Sequence, residues 1–89
     1  MEYEWDPAKA KANVRKHRIS FADAALALED PRALTVADPD AGGEHRFVSL
    51  GSDPNGRVLV TVFTSRGSRT RIISSRKASP NERRIYESK

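Results

Sequence analysis

The sequence contains no cysteine. A disulfide framework, a thiolate zinc site and a cysteine nucleophile are therefore all excluded. Histidine is nearly as scarce: His17 and His45 are too few for a usual zinc cage without thiolates. No apolar stretch approaches the ~20 residues a membrane-spanning helix needs. The opening MEYEWDPAKA is acidic and lacks the apolar run of a signal peptide. Walker, GxGxxG, HExxH and Gly-x-Ser-x-Gly motifs are missing, as are repeats and low-complexity segments. The expectation left standing is a soluble, cytoplasmic protein forming a single domain over residues 1–89. Its core would be small, so a partner that adds stability would suit it.

Positive charge is present, and unevenly placed. The formal net charge is +4. Residues 66–89 hold eight basic residues against two acidic ones, a net +6, which leaves residues 1–65 at −2. Such asymmetry suggests an anionic partner, nucleic acid first among them. The plainer alternative is a solvated basic face.

Local signals divide the chain into helices, then strands, then a helix. EYEW (2–5) reads as a short strand. Asp6-Pro7 starts a helix, with Asp6 as cap and Pro7 where its missing N–H costs nothing, ending near His17 or Arg18. Ser20 caps a second helix, in which Asp23 can return the bond and Phe21, Ala24, Ala25 and Leu28 form the apolar stripe, with Pro31 as the stop. Strands follow at 33–37, 46–50, 57–65 and 70–78, separated by the turn-rich DPDAGGEH, GSDPNG and RGSR. RVLVTVFTS is apolar on both faces and should be central. Ser79, Pro80 and Glu82 give a capping box for a last helix. The order β-α-α-β-β-β-β-α describes an α+β domain: an antiparallel sheet with two N-terminal helices and one C-terminal helix.

The segment RGSRTRIISSRKASPNERRIY carries the candidate chemistry. Strict alternation along its strand puts Arg71, Ile73, Ser75 and Lys77 on one face and Thr70, Ile72, Ser74 and Arg76 on the other, an assignment a β-bulge would alter. The strand–helix junction brings Arg76 and Lys77 to a helix N-terminus, where anions are favoured. Arg83 and Tyr86 share a helix face. RNA cleavage by 2′-hydroxyl attack needs a base, cations around a pentavalent phosphate, and an acid for the 5′ oxygen. Arginine and lysine can supply the charge, and His45 or Tyr86 could move protons. Tyr86 packing against the sheet is the competing reading. For His17, capping a helix C-terminus outweighs catalysis. Trp5 reads as core before base platform, and Arg15, Lys16 and Arg18 as a solvated face first and a partner surface second. Asp38, Asp40, Glu44 and His45 could hold a metal, but a loop rich in Asp and Gly is more simply a turn, and no metal or other cofactor is expected.

EWDPAKAKANVRKHRISFADA resembles the opening of BrnT-type toxins, through Trp5-Asp6, Lys9, Asn13, Lys16-His17, Ser20-Phe21 and Ala24. EDPRAL (29–34), RFVSLG (46–51), RVLVTVFT (57–64) and RIISSRKASPNERRIY (71–86) continue the resemblance in order. It implies a compact RelE-like fold and a ribonuclease toxin of a type II toxin–antitoxin pair. The implied partner is a BrnA-type antitoxin with a ribbon-helix-helix domain, which would link the complex to operator DNA. Carried over by position, Arg71, Arg76, Lys77 and Tyr86 form the RNA-facing group, with Arg46 next. Arg66, Arg69, Arg83 and Arg84 would bind RNA around them. Arg18 departs from the family, which usually has glycine after Lys-His. The expected activity is metal-independent endoribonuclease cleavage that inhibits translation. The competing readings are a non-catalytic RNA-binding or antitoxin-binding module within a repressor complex, and a structural partner that grips an acidic chain.

Overall fold

A computed structural model describes residues 2–38 and 45–88. The element order is β1 (Glu2–Glu4), α1 (Pro7–His17), α2 (Phe21–Leu28), β2 (Leu34–Ala37), β3 (Arg46–Ser52), β4 (Val58–Arg66), β5 (Arg69–Lys77) and α3 (Pro80–Glu87). This is the α+β order expected from the sequence. The five strands form one sheet in the order β1-β5-β4-β3-β2, with β4 central. β2 to β5 make an antiparallel meander, but β1 joins the edge parallel to β5, so the sheet is mixed rather than wholly antiparallel. The reason is connectivity: both N-terminal helices and three strands intervene between β1 and β5, so no tight turn sets their direction. No helix among the described residues is long and apolar enough to cross a membrane.

The helices start where the capping chemistry places them. Asp6 Oδ1 accepts from the Ala8 N–H at 2.9 Å, and Ser20 Oγ from the Asp23 N–H at 3.1 Å. The Asp23 carboxylate does not return the bond. It faces Arg57 instead, 2.9 Å from Nη2. At α3 the capping box is complete: Ser79 Oγ accepts from the Glu82 N–H, and Glu82 Oε1 accepts from the Ser79 N–H at 2.8 Å. Arg18 ends α1 with φ +62°, in left-handed geometry, and its N–H reaches the Val14 carbonyl at 2.9 Å. Here glycine would be free of the Cβ clash that arginine carries.

One sheet face is covered by α1 and α2. Ile72 packs with Phe21 and Ala24, and Leu59 with Ile19 and Ala27. α2 lies so close to β3 at Gly51 that a Cβ there would stand 2.3 Å from the Ala27 carbonyl oxygen. α1 is latched to β5 by the buried Asn13, whose amide bonds both the N–H and the carbonyl of Ser75. α3 packs against β3, and Arg76 of β5 reaches its Glu82. Val58 and Val60, which alternate away from the α1/α2 face, are 4% and 6% exposed, so the second face is closed at the Ser52 end of β3, where α3 packs.

Candidate functional site

Strand register decides which cations meet. Directly opposite residues of neighbouring strands project to one face. Arg46 stands opposite Thr64, Thr64 opposite Arg71, and Arg71 opposite Glu4. These four form one row across β3, β4, β5 and β1. The row lies on the second sheet face, at the end α3 does not cover. Two strand spacings put the Cα atoms of Arg46 and Arg71 about 10 Å apart. Thr64, between them, is 3% exposed, and its hydroxyl donates to the His45 carbonyl, fixing the entry to β3. Arg66 and Arg69 face each other two residues further out. Half-buried Val48 and Val62 floor the face toward its centre.

A register shift at Val62/Phe63 regroups the cations. Val62 pairs with Ser74 and Phe63 with Ile72, so Ile73 is the extra residue of a bulge. Beyond it the parity of β5 reverses. Arg76, opposite Val60, shares the face of Arg71, while Lys77, opposite Leu59, belongs to the other. Strict alternation would have joined Arg71 to Lys77. Arg76 lies about 14 Å along the sheet from the Arg71 row, four strand positions away.

Arg69, Arg71, Arg76 and Arg83 have carboxylate partners. Arg71 Nη1 donates to Glu4 Oε2 at 2.7 Å. Arg69 lies 3.6 Å from Glu2 and 3.9 Å from Glu4. Arg76 grips Glu82 with both nitrogens, at 2.9 and 3.0 Å. That fork, with the Ser79 N–H, pulls the Glu82 carboxyl down to about 2. Arg83 pairs with Glu87 at 3.0 Å, and Arg84 is exposed on α3. Arg57, Lys77 and Arg83 line a separate polar cavity of about 200 Å³ beside the start of α3.

Tyr86 is elsewhere. It is 8% exposed, and its hydroxyl donates to Asp30 Oδ2, which also accepts from the Ser52 N–H at 2.8 Å. The Asp30 bond, with burial, raises the Tyr86 phenol above its ordinary range. Burial pushes the Asp30 carboxyl up, but its bonds from Tyr86, Ser52 and Arg32 outweigh that and hold it below the usual value. Ser52 is at the far end of β3 from Arg46, six positions or about 20 Å away, so Tyr86 and the Arg46 row do not converge on one phosphate. Arg83 shares a helix with Tyr86 but is half exposed. His45 is exposed at the rim of the row. The metal alternative involves Asp40 and Glu44, which lie outside the described residues. Among the described residues no three His, Asp or Glu side chains form a metal-binding group.

Sequence reasoning missed Thr64 and Glu4. Neither belongs to a motif, and their roles come from register alone.

Residues 5–82 match the family model described as the ribonuclease toxin, BrnT, of type II toxin–antitoxin systems. No curated protein sequence matches. Among solved structures, the chain is similar to the Brucella abortus ribonuclease toxin BrnT, with a TM-score of 0.67 and 27% identity, covering 89% of this chain and 97% of that one.

Proposed function

Because the chain belongs to the BrnT family of ribonuclease toxins of type II toxin–antitoxin systems, we propose that it is an endoribonuclease whose substrate phosphate sits over the Arg46–Thr64–Arg71 row. The observation that carries this reading is the row itself: two guanidinium groups on one open sheet face, with a buried Thr64 hydroxyl between them. Arginine forks match phosphate oxygens, and preorganised cations stabilise the charge that develops on them. The RNA 2′ oxygen would attack phosphorus and form the new O2′–P bond. The P–O5′ bond breaks, the 2′ proton passes to a base, and an acid returns a proton to O5′. The products are a 2′,3′-cyclic phosphate and a 5′-hydroxyl. Exposed His45, at the rim, is the candidate for proton transfer. Arg76 would hold RNA further along the face, and Arg66 and Arg69 at its outer margin. A BrnA-type antitoxin would neutralise the activity in the cytoplasm and carry the complex to operator DNA.

The test is cleavage of a defined RNA in EDTA by the purified chain. The expected product ends in a 2′,3′-cyclic phosphate, and a 2′-O-methyl RNA stays intact. Products with 5′-phosphates, or activity abolished by EDTA, would contradict the mechanism. One observation favours a non-catalytic, RNA-binding alternative: the Arg71 and Arg76 guanidinium groups are already bound to Glu4 and Glu82. That alternative predicts salt-sensitive RNA binding without any product.

A further inference from the structure

One group of cations without carboxylate partners is on the other side of the molecule. Lys9, Lys11, Arg15, Lys16 and Arg18 belong to α1 and its C-cap, a segment with no acidic residue between Pro7 and Arg18. Among the described residues none of these five has an ion pair, whereas Arg57, Arg69, Arg71, Arg76 and Arg83 all do. Lys11, Arg15 and Arg18 follow one another at helical spacing and flank a trough of about 570 Å³ between α1 and α2. Its floor is apolar: Ala10 and Val14 from α1, Phe21 and Ala22 from α2, and Trp5, whose ring meets Phe21 edge-on at 6.0 Å. Val14 is 43% exposed and Trp5 36%, a contiguous apolar patch with a basic rim of the kind that marks an interface.

The chemistry of the trough selects among occupants. A small ligand would need convergent polar groups, and the one hydroxyl lining it, Ser20, is spent on capping α2. Single-stranded RNA would need stacking platforms, but Trp5 offers its ring to Phe21 and the rest of the exposed floor is aliphatic. A second copy of this chain would bring the same basic stripe against itself. An amphipathic helix, apolar along one stripe and acidic along the next, satisfies both the floor and the rim. We infer that the α1–α2 trough docks an acidic amphipathic helix of the neutralising antitoxin, leaving the Arg46–Arg71 face on the opposite side of the sheet. This identification of the partner rests on the toxin reading above.

The test uses the full chain and the purified antitoxin encoded beside it, with binding followed by calorimetry. Val14→Asp combined with Arg15→Glu should weaken binding by about 100-fold, and Lys11→Glu with Arg15→Glu by about 10-fold in a salt-dependent way. Both pairs are at exposed positions, and unchanged thermal melting shows that they fold. RNA cleavage by the free variants should match the parent chain. Unchanged antitoxin affinity overturns the proposal. So does loss of RNA cleavage in these variants, which would make the trough a nucleic-acid surface, or loss of a parent-chain dimer in light scattering, which would make it a self-interface. Absence of antitoxin binding by the parent chain also overturns it, and the cleavage assay then shows separately whether the toxin reading falls too.

Discussion

The side-chain amide of Asn13 serves Ser75 as a neighbouring strand would. Its Oδ1 accepts from the Ser75 N–H at 3.1 Å, and its Nδ2 donates to the Ser75 carbonyl at 2.8 Å. β1 pairs with β5 only as far as Arg71. Asn13 therefore closes a sheet edge that β1 leaves open, and its third bond, to the Ile19 carbonyl at 2.9 Å, ties in the α1–α2 joint. Asn13→Ala leaves buried backbone groups without partners, and should cost about 2–4 kcal/mol in urea denaturation. A loss within 0.5 kcal/mol, on the order of an ordinary surface change, would show the latch to be dispensable.

Arg18 tests a different link, from backbone geometry to stability. Its φ of +62° is strained for arginine and free for glycine. Arg18→Gly should raise stability by about 0.5–1 kcal/mol, a few degrees in Tm for a chain of this size. A lower Tm would mean that the arginine side chain contributes more than its backbone costs.

The Arg76–Glu82 fork gives a pH signature. The Glu82 carboxyl is lowered from 4.5 to about 2. A depressed carboxylate adds stability that is fully present above its unfolded value and is lost as pH falls toward the folded one. The pair is partly exposed, so solvent screening limits the contribution to about 1 kcal/mol. Thermal melts at pH 7 should place Glu82→Gln several degrees below the parent chain, and the difference should close between pH 4.5 and pH 2. A gap that stays constant across that window would separate Glu82 from the pH dependence.

Tyr86 is assigned a structural tie to Asp30 rather than a proton. Tyr86→Phe should lose about 1.5–3 kcal/mol, the worth of a hydrogen bond to a charged group, while RNA cleavage stays within about threefold of the parent, far short of the 10²–10⁴ that loss of a general acid or base costs. Cleavage lost by about 100-fold in a folded variant would return Tyr86 to the chemistry.

The element order was legible because it rests on local signals. Asp6-Pro7 and Ser79-Pro80 with Glu82 set helix starts, and the two-faced apolar run at 58–63 placed β4 at the centre. Long-range pairings were not legible. Glu4 meets Arg71 across 67 residues of chain, and nothing near Glu4 announces it. Asp23 matched a capping box by spacing, but Arg57, 34 residues away, takes its carboxylate. The face of each cation on β5 depends on a single inserted residue, Ile73, and alternation cannot register a bulge before the partner strand is known. The basic segment was thus recognisable in the sequence, while its division into Arg71 and Arg76 on one face and Lys77 on the other required the register.

A scissile phosphate held by the Arg46–Arg71 row makes cleavage depend on both arginines. Single-turnover cleavage of one RNA by Arg46→Ala, Arg71→Ala and Lys77→Ala, each checked for folding by thermal melting, tests it most directly. Losses of about 10²–10³ are expected for each row arginine, the size seen on removing a charge-stabilising donor. A loss of less than about threefold is expected for Lys77, which projects to the opposite face. Undiminished cleavage by both row variants, or an equal loss in Lys77→Ala, would contradict that role of the row.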